Sequence, residues 1–385
     1  MITKTKGKIM ELKLDVNRIR TNEKLGLTLK SIYESYGYTP YKMSKFEEYE
    51  LYARNKDFLG DGGILTFTDV SGRLMALKPD VTLSIVKNSM GAKGTQKVFY
   101  HENVYRTSKH RGSFKELEQS GIECIGDIGQ CDIIEVLLLA IKSLEATGHP
   151  FKLEISHMGI LSCLMDKLSL CDSDRQEAIS CIKHKNAHGI NEIAQRNGIN
   201  EPVALSDAIA LNGSPRNVIS ALNKMVDVDS EAYEALKELS SAFEALDELG
   251  YGDNVGIDLS VVNDMNYYRS LVFRGYVDKI PEGVLFGGRY DELVRKMGRS
   301  CSAIGFAVSL DKLSELSRNE RAASIDVMLV YGEKTPFSVV YKTCETLRQQ
   351  GMTVIALSRL DTSIRATKTL YLKADGTVSE RTEDN

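Results

Sequence analysis

The stretch QKVFYHENVYRTSKHRGSFKELEQSGIECIG, residues 96–126, decides the fold. Residues 96–107 are rich in aromatic and β-branched side chains, and residues 114–126 return to an apolar, strand-like texture. Between them SKHRGS (108–113) is polar and carries Lys109, His110 and Arg111. The pattern predicts two long antiparallel strands joined by a basic loop. On the second strand, side-chain alternation sets Gln119, Gly121 and Glu123 on one face. A carboxylate and an amide with a glycine between them suit an ammonium group or an imidazole. The same residues also fit a plain solvated strand face. Arg106 and the loop cations can receive a carboxylate or phosphate, or can form an ordinary charged hairpin tip.

Working back toward the N-terminus, Leu25, Leu29, Ile32 and Tyr33 recur at helical spacing, and GYTP (37–40) stops that helix. Residues 41–49 read as a strand and its exit. GILTFTDVSGRLMALKPD (63–80) is a hairpin about a turn containing Asp69 and Gly72. Pro79 ends its second strand, and Asp80 or Thr82 then starts a helix through Lys87. Toward the C-terminus come a helix over about 130–147 and a strand at 151–157. A helical module with i,i+4 charges follows over about 159–250. Strands resume at 255–262 and 270–277. Tyr267 and Tyr268 point to opposite faces if their segment is regular, so one can line a pocket while the other packs. VLFGGRYDELVRKMG reads as a glycine turn and a helix, and CSAIGFAVSLDKLSEL as an apolar strand and a helix. NERAAS (319–324) reads as a linker before a small β-α-β-β unit. The expected organisation is α+β. It has a main domain over 1–320, mostly antiparallel and with a helical insertion, and a short C-terminal α/β domain over 324–385.

Composition bounds the function. Of 385 residues, 42% are hydrophobic and 26% charged, which is the balance of a folded chain. The net charge of −4 argues modestly against a dedicated nucleic-acid binder. Seven scattered cysteines with no C-x-x-C pair suggest reduced thiols and the cytoplasm. Cys181, His184 and His188 fit either zinc or a solvated helix surface; no clean fourth ligand follows, so no metal is expected. The basic start MITKTKGKIM lacks the apolar core of a signal peptide, and the apolar run at 133–141 is too short to span a bilayer. No G-x-G-x-x-G or G-K-[ST] loop occurs.

Taken in order, these pieces resemble the histidyl-tRNA synthetase fold, a class II aminoacyl-tRNA synthetase-like antiparallel sheet with flanking helices. ALKPDVT (76–82) is similar to the segment that receives the histidine amino group, with Asp80 and Thr82 in place. VYR (104–106) with FKELEQSGIECIG resembles the second class II motif; Arg106 matches its first arginine, and Gln119 and Glu123 match the histidine-contacting pair. NDMNYY (263–268), FGGRYDELV and AIGFAVSLDKL resemble the histidine-specific segment, the glycine-rich strand and the third motif. The departures fall on the phosphate-handling groups. Asn263 stands for the catalytic arginine, Asn266 for an aspartate, Lys312 for the third motif's arginine and Lys115 for the second motif's second arginine. Thr107 and Ser108 occupy the place of an acid. Lysine lacks the bidentate fork, and losing several fixed donors removes stabilisation of a reacting phosphate.

That combination resembles the regulatory subunit of ATP phosphoribosyltransferase, a family with this fold and no catalysis of its own. The resemblance implies a short-form catalytic subunit as partner and a role in the first step of histidine biosynthesis. It also implies histidine as feedback effector, self-association as a dimer through residues near 20–50, and no cofactor or tRNA. It sets the ligand pocket at Asp80, Thr82, Arg106, Gln119, Glu123, Tyr267 and Tyr268. Asp80 and Glu123 would hold the ammonium or ring nitrogen, Thr82 and Gln119 would hydrogen-bond, and Tyr267 would wall the ring. The alternatives are an active histidyl-tRNA synthetase with unusual residues, or another paralogue that only binds an amino acid.

Overall fold

A computed structural model describes residues 21–59, 63–89, 94–107, 113–199, 203–228, 230–262, 269–317 and 325–380. The chain divides into two compact units, one spanning Ile19–Leu316 and the other containing Ser317–Asn385.

The large unit begins with α1 (Thr21–Ser35), whose Leu25, Leu29 and Tyr33 form a buried stripe four residues apart. β1 (Thr39–Pro40), β2 (Phe46–Glu48) and α2 (Tyr49–Ala53) follow, then β3 (Thr66–Thr68), β4 (Leu74–Leu77) and α3 (Thr82–Asn88). The long pair β5 (Gln96–Thr107) and β6 (Phe114–Gly126) has the boundaries the sequence suggests. α4 (Gln130–Glu145) is amphipathic, and its start is fixed where Asp132 accepts the Gly129 N–H at 3.0 Å. β7 (Phe151–His157) leads into six helices, α5 (Met158–Asp166) through α10 (Glu231–Glu248). β8 (Val255–Ile257), β9 (Leu271–Val277), β10 (Leu285–Arg289), α11 (Asp291–Lys296), β11 (Ser302–Ser309) and α12 (Leu310–Leu313) complete the unit.

Eight strands form one mixed sheet in the order β1-β5-β6-β11-β10-β9-β7-β8. Only the outer pairs, β1–β5 and β7–β8, are parallel. Strand parity divides the chemistry. Ile122 and Cys124 on β6 face a core that also holds Tyr33, Phe99, Leu137, Phe273 and Phe306. The isoleucine, leucine and phenylalanine side chains among these stabilise by about 1.5–3 kcal/mol each when fully buried. Gln119, Gly121 and Glu123 face the opposite side, where α3, α11 and the small sheet β2-β4-β3 build a second cluster around Tyr52, Tyr100 and Tyr290. The helical insertion is fastened to the sheet at Glu238 of α10. That carboxylate accepts His157 Nε2 at 3.0 Å, Ser270 Oγ at 3.1 Å and Arg289 Nη1 at 3.5 Å.

The small unit contains β12 (Ile325–Tyr331), α13 (Phe337–Gln349), β13 (Val354–Leu357), β14 (Ala366–Leu372) and β15 (Val378–Glu380). Its sheet order is β13-β12-β14-β15, with a core of Leu329, Val340, Cys344 and Leu372. β15 extends the expected β-α-β-β unit. Asp375 accepts the Thr377 N–H at 2.8 Å and turns the chain back onto β14.

Two expectations are corrected. FGGR does not form a turn but lies inside β10, because a Cβ on Gly287 would fall 2.4 Å from the Phe273 ring; glycine lets that ring cross the strand. His184 and His188 do not share one helix. The helix stops at Lys183, Lys185 turns to φ 54°, and Asn186 caps the next helix by accepting the Gly189 N–H at 2.9 Å. His184 Nδ1 lies 2.8 Å from the Ser180 carbonyl oxygen and His188 pairs with Glu192, so the two imidazoles go separate ways.

Candidate functional site

Glu123 sits at the centre of the site and is 2% exposed. Its cross-strand partner on β11 is Gly305, and a Cβ there would lie 1.9 Å from Oε2. The missing side chain is the space the carboxylate occupies. Thr82 Oγ1 donates to Oε1 at 2.6 Å, and the Tyr290 hydroxyl donates to Oε2. Burial dominates and pushes the Glu123 pKa up to about 8; the two hydroxyls pull it down, and the nearby Asp80 charge adds to the rise.

Asp80 and Thr82 arrive together at the start of α3. Asp80 Oδ1 accepts the Leu83 N–H at 2.9 Å, so Asp80 caps the helix and Thr82 begins it. Burial raises the Asp80 pKa, against the Leu83 N–H and the Arg106 guanidinium, which lower it. Arg106 Nε donates to the Pro79 carbonyl at 3.1 Å. The junction is pinned from below by Lys78, 1% exposed, whose ammonium meets Glu102 at 2.5 Å. Its main chain is held by Lys45 and Tyr105.

Asp80, Thr82, Arg106, Gln119 and Glu123 line one open groove of about 1660 Å³, together with Tyr100 and Tyr290. Gln119 makes no side-chain hydrogen bond to a described residue, which leaves its amide available to a ligand. Gly121 does not leave an open floor as the sequence suggests. A Cβ there would lie 2.6 Å from the Tyr100 hydroxyl, so that phenol fills the place. Tyr267, Tyr268, Asn263, Asn266 and the loop cations Lys109, His110 and Arg111 lie outside the described residues. Tyr100, Tyr290 and the Lys78–Glu102 pair are the site features that sequence reasoning missed. Tyr290 stands 167 residues from Glu123, and no local spacing signals that bond.

Two carboxyl groups, a hydroxyl and an amide with no side-chain hydrogen bond among the described residues, with one arginine beside them, favour a cationic or zwitterionic ligand. The groups at the places of the missing phosphate-binding arginines are engaged elsewhere or exposed. Lys312 Nζ donates to Glu282 at 2.6 Å and to the Gly283 carbonyl at 3.1 Å, and Lys115 is exposed. Among the described residues no group of three or more His, Cys, Asp or Glu side chains could hold a metal ion.

The histidyl-tRNA synthetase family model matches residues 13–313. An ATP phosphoribosyltransferase regulatory subunit from Clostridium kluyveri is 30% identical over 339 residues, covering 84% of this chain and 86% of that protein. The chain belongs to the ATP phosphoribosyltransferase regulatory subunit family. A regulatory subunit from Acetivibrio thermocellus is 28% identical, with 85% and 80% coverage. Among solved structures, an ATP phosphoribosyltransferase regulatory subunit/histidyl-tRNA synthetase from Bacillus halodurans shares the fold at TM-score 0.77 and 24% identity, covering 96% of this chain and all of that one. A histidyl-tRNA synthetase from Nostoc shares it at TM-score 0.71 and 18% identity, with 98% coverage of each chain. This regulatory family is non-catalytic, and it shares its fold with the synthetases.

Proposed function

We propose that this chain is the regulatory subunit that a short-form ATP phosphoribosyltransferase catalytic subunit requires, and that it carries histidine feedback in the first step of histidine biosynthesis. The observation that carries the reading is the paired condition of the groove. Asp80, Thr82, Gln119 and Glu123, the residues that match the histidine-contacting positions, line one groove, while Lys312, which stands for a phosphate-binding arginine, donates to Glu282. A free histidine ammonium or imidazole fits the carboxylates, with Thr82 and Gln119 as hydrogen-bonding partners. Tyr267 or Tyr268 would complete the wall.

Regulation then follows from linkage. Histidine bound more tightly by one state of the complex lowers the population of the other, and the coupling is reciprocal. We read the chain as a homodimer, joined near residues 20–50, within a hetero-oligomer in the cytoplasm. We read the small unit as similar to an anticodon-binding domain, with no role in reading tRNA. No helix among the described residues is long and apolar enough to cross a membrane. The test is to incubate the purified chain with histidine, ATP and matching tRNA, and separately with the short catalytic subunit and its substrates. Activation of phosphoribosyl transfer without tRNA charging is the expected result. Robust charging by the chain alone would overturn the reading.

A further inference from the structure

Glu238 of α10 joins the helical insertion to the ends of β7, β9 and β10, and its partners lead on to the groove. His157, at the end of β7, is 4% exposed. Its Nδ1 accepts the Gly159 N–H at 3.1 Å as the N-cap of α5, so the ring proton sits on Nε2 and donates to Glu238. Ser270 is held from both sides: its carbonyl accepts the Met158 N–H at 3.0 Å and its hydroxyl donates to Glu238. A Cβ on Gly159 would lie 3.3 Å from the Ala235 Cβ, so that glycine seats α5 closely on α10. Burial raises the Glu238 pKa, but His157, Arg289 and Ser270 outweigh it and hold the carboxyl below its ordinary range.

Arg289 carries the connection onward. Besides Glu238, its guanidinium donates to Asp291 Oδ2 at 2.9 Å and to Ser302 Oγ at 3.1 Å. Asp291 accepts the Ala303 N–H at 2.9 Å, and the Tyr290 N–H donates to the Ala303 carbonyl at 2.8 Å. Tyr290, between these clamped neighbours, is 2% exposed and donates its hydroxyl to Glu123. An unbroken chain of bonds therefore runs from Glu238 through Arg289 and Tyr290 to Glu123. Among the described residues the two carboxyl groups share no hydrogen-bond partner. Gly288 on β10 is two strand spacings, about 10 Å, from Glu123 on β6. At such separations, substitutions with no shared partner have additive effects unless something links them.

We infer that Glu238 is a positioning residue that couples the helical insertion to the groove, acting on Glu123 through Arg289 and Tyr290. The strand end that carries Arg289 and Asp291 sets where the Tyr290 hydroxyl reaches, and Glu238 holds that strand end. A change at the Glu123 carboxyl then bears on the seating of α5 and α10, and the coupling runs equally in reverse.

The test needs neither histidine nor the catalytic subunit, so its failure is distinct from failure of the proposed function. Urea unfolding of the full chain is measured between about pH 5 and 9 for wild type, Glu238→Gln, Glu123→Gln and the double variant. Thr82, Tyr290 and Asp80 face Glu123, with Arg106 beside Asp80; His157, Ser270 and Arg289 face Glu238. Subtracting each Glu123→Gln counterpart cancels the titration of His157 and leaves the part due to Glu123. The Tyr290 hydroxyl pulls the Glu123 pKa down against burial, so loosening it extends the Glu123-dependent fall in stability to higher pH. In Glu238→Gln the end of that fall is expected to move up by about half a pH unit or more, a roughly three-fold change in proton affinity. The double variant's unfolding constant should depart from the product of the single effects by about three-fold or more. A purely structural role for Glu238 lowers stability without moving the Glu123 profile and leaves the cycle additive. If Glu238→Gln does not fold, Arg289→Lys keeps the cation without the fork and is expected to give the same upward move in the same comparison. A Glu123-dependent fall that ends at an unchanged or lower pH, or an additive cycle, overturns the inference.

Discussion

At Glu123 a single buried carboxyl group bears on stability and, on the proposed function, on recognition. Its pKa rises from an ordinary 4.5 to about 8, so the folded state holds a proton that the unfolded chain releases. The stability from that proton is complete below about pH 4.5 and is lost as pH climbs through about 8. Within that window the loss is up to about 1.4 kcal/mol per pH unit. Urea unfolding between pH 5 and 8 should therefore show a falling contribution that Glu123→Gln abolishes; identical slopes in the two proteins would contradict it. A cationic ligand binds the charged carboxylate and must displace that proton, so histidine should bind more tightly as pH rises toward about 8 and Glu123→Gln should weaken it about ten-fold or more, read by calorimetry near pH 8. The space for this carboxylate exists only because residue 305 lacks a side chain. Gly305→Ala would press on Oε2 and on the Ile122 carbonyl at 2.4 Å, and should cost about 1–3 kcal/mol of unfolding free energy.

At the scale of the element, α3 joins structure to site. Asp80 caps its first turn while offering a carboxylate to the groove, and the two roles separate by substitution. Asp80→Ala should lose about 1 kcal/mol of stability. Asp80→Asn keeps a capping oxygen and should stay near wild-type stability, yet bind histidine as poorly as the alanine variant. Equal stability losses would show that the cap is not the role. The pattern Pro79–Asp80–Val81–Thr82 made this helix start legible in sequence, just as aromatic and β-branched runs made β5 and β6 legible. FGGR misled because glycine pairs signal turns locally, whereas here Gly287 clears the Phe273 ring on a neighbouring strand. The buried Lys78–Glu102 pair was equally unreadable. A lysine 24 residues before its partner carries no local sign of burial, and its environment comes from three strands meeting.

At the scale of the molecule, a synthetase-like sheet carries the groove proposed here to hold histidine, and Lys312 beside it donates to Glu282. The order of motifs exposed that fold in sequence, and the arginine replacements exposed the change of role. The enclosure of Glu123 by Thr82, Tyr290 and Gly305 was not readable, because it needs three elements to meet. The decisive measurement is phosphoribosyl-ATP formation by the short catalytic subunit mixed with this chain, titrated with histidine, for wild type and Glu123→Gln. Both chains should activate the catalytic subunit, and histidine should inhibit the wild-type complex while inhibition by the variant moves to about ten-fold or more higher concentration. No activation by the wild-type chain, or an unchanged histidine response in the variant, would contradict it.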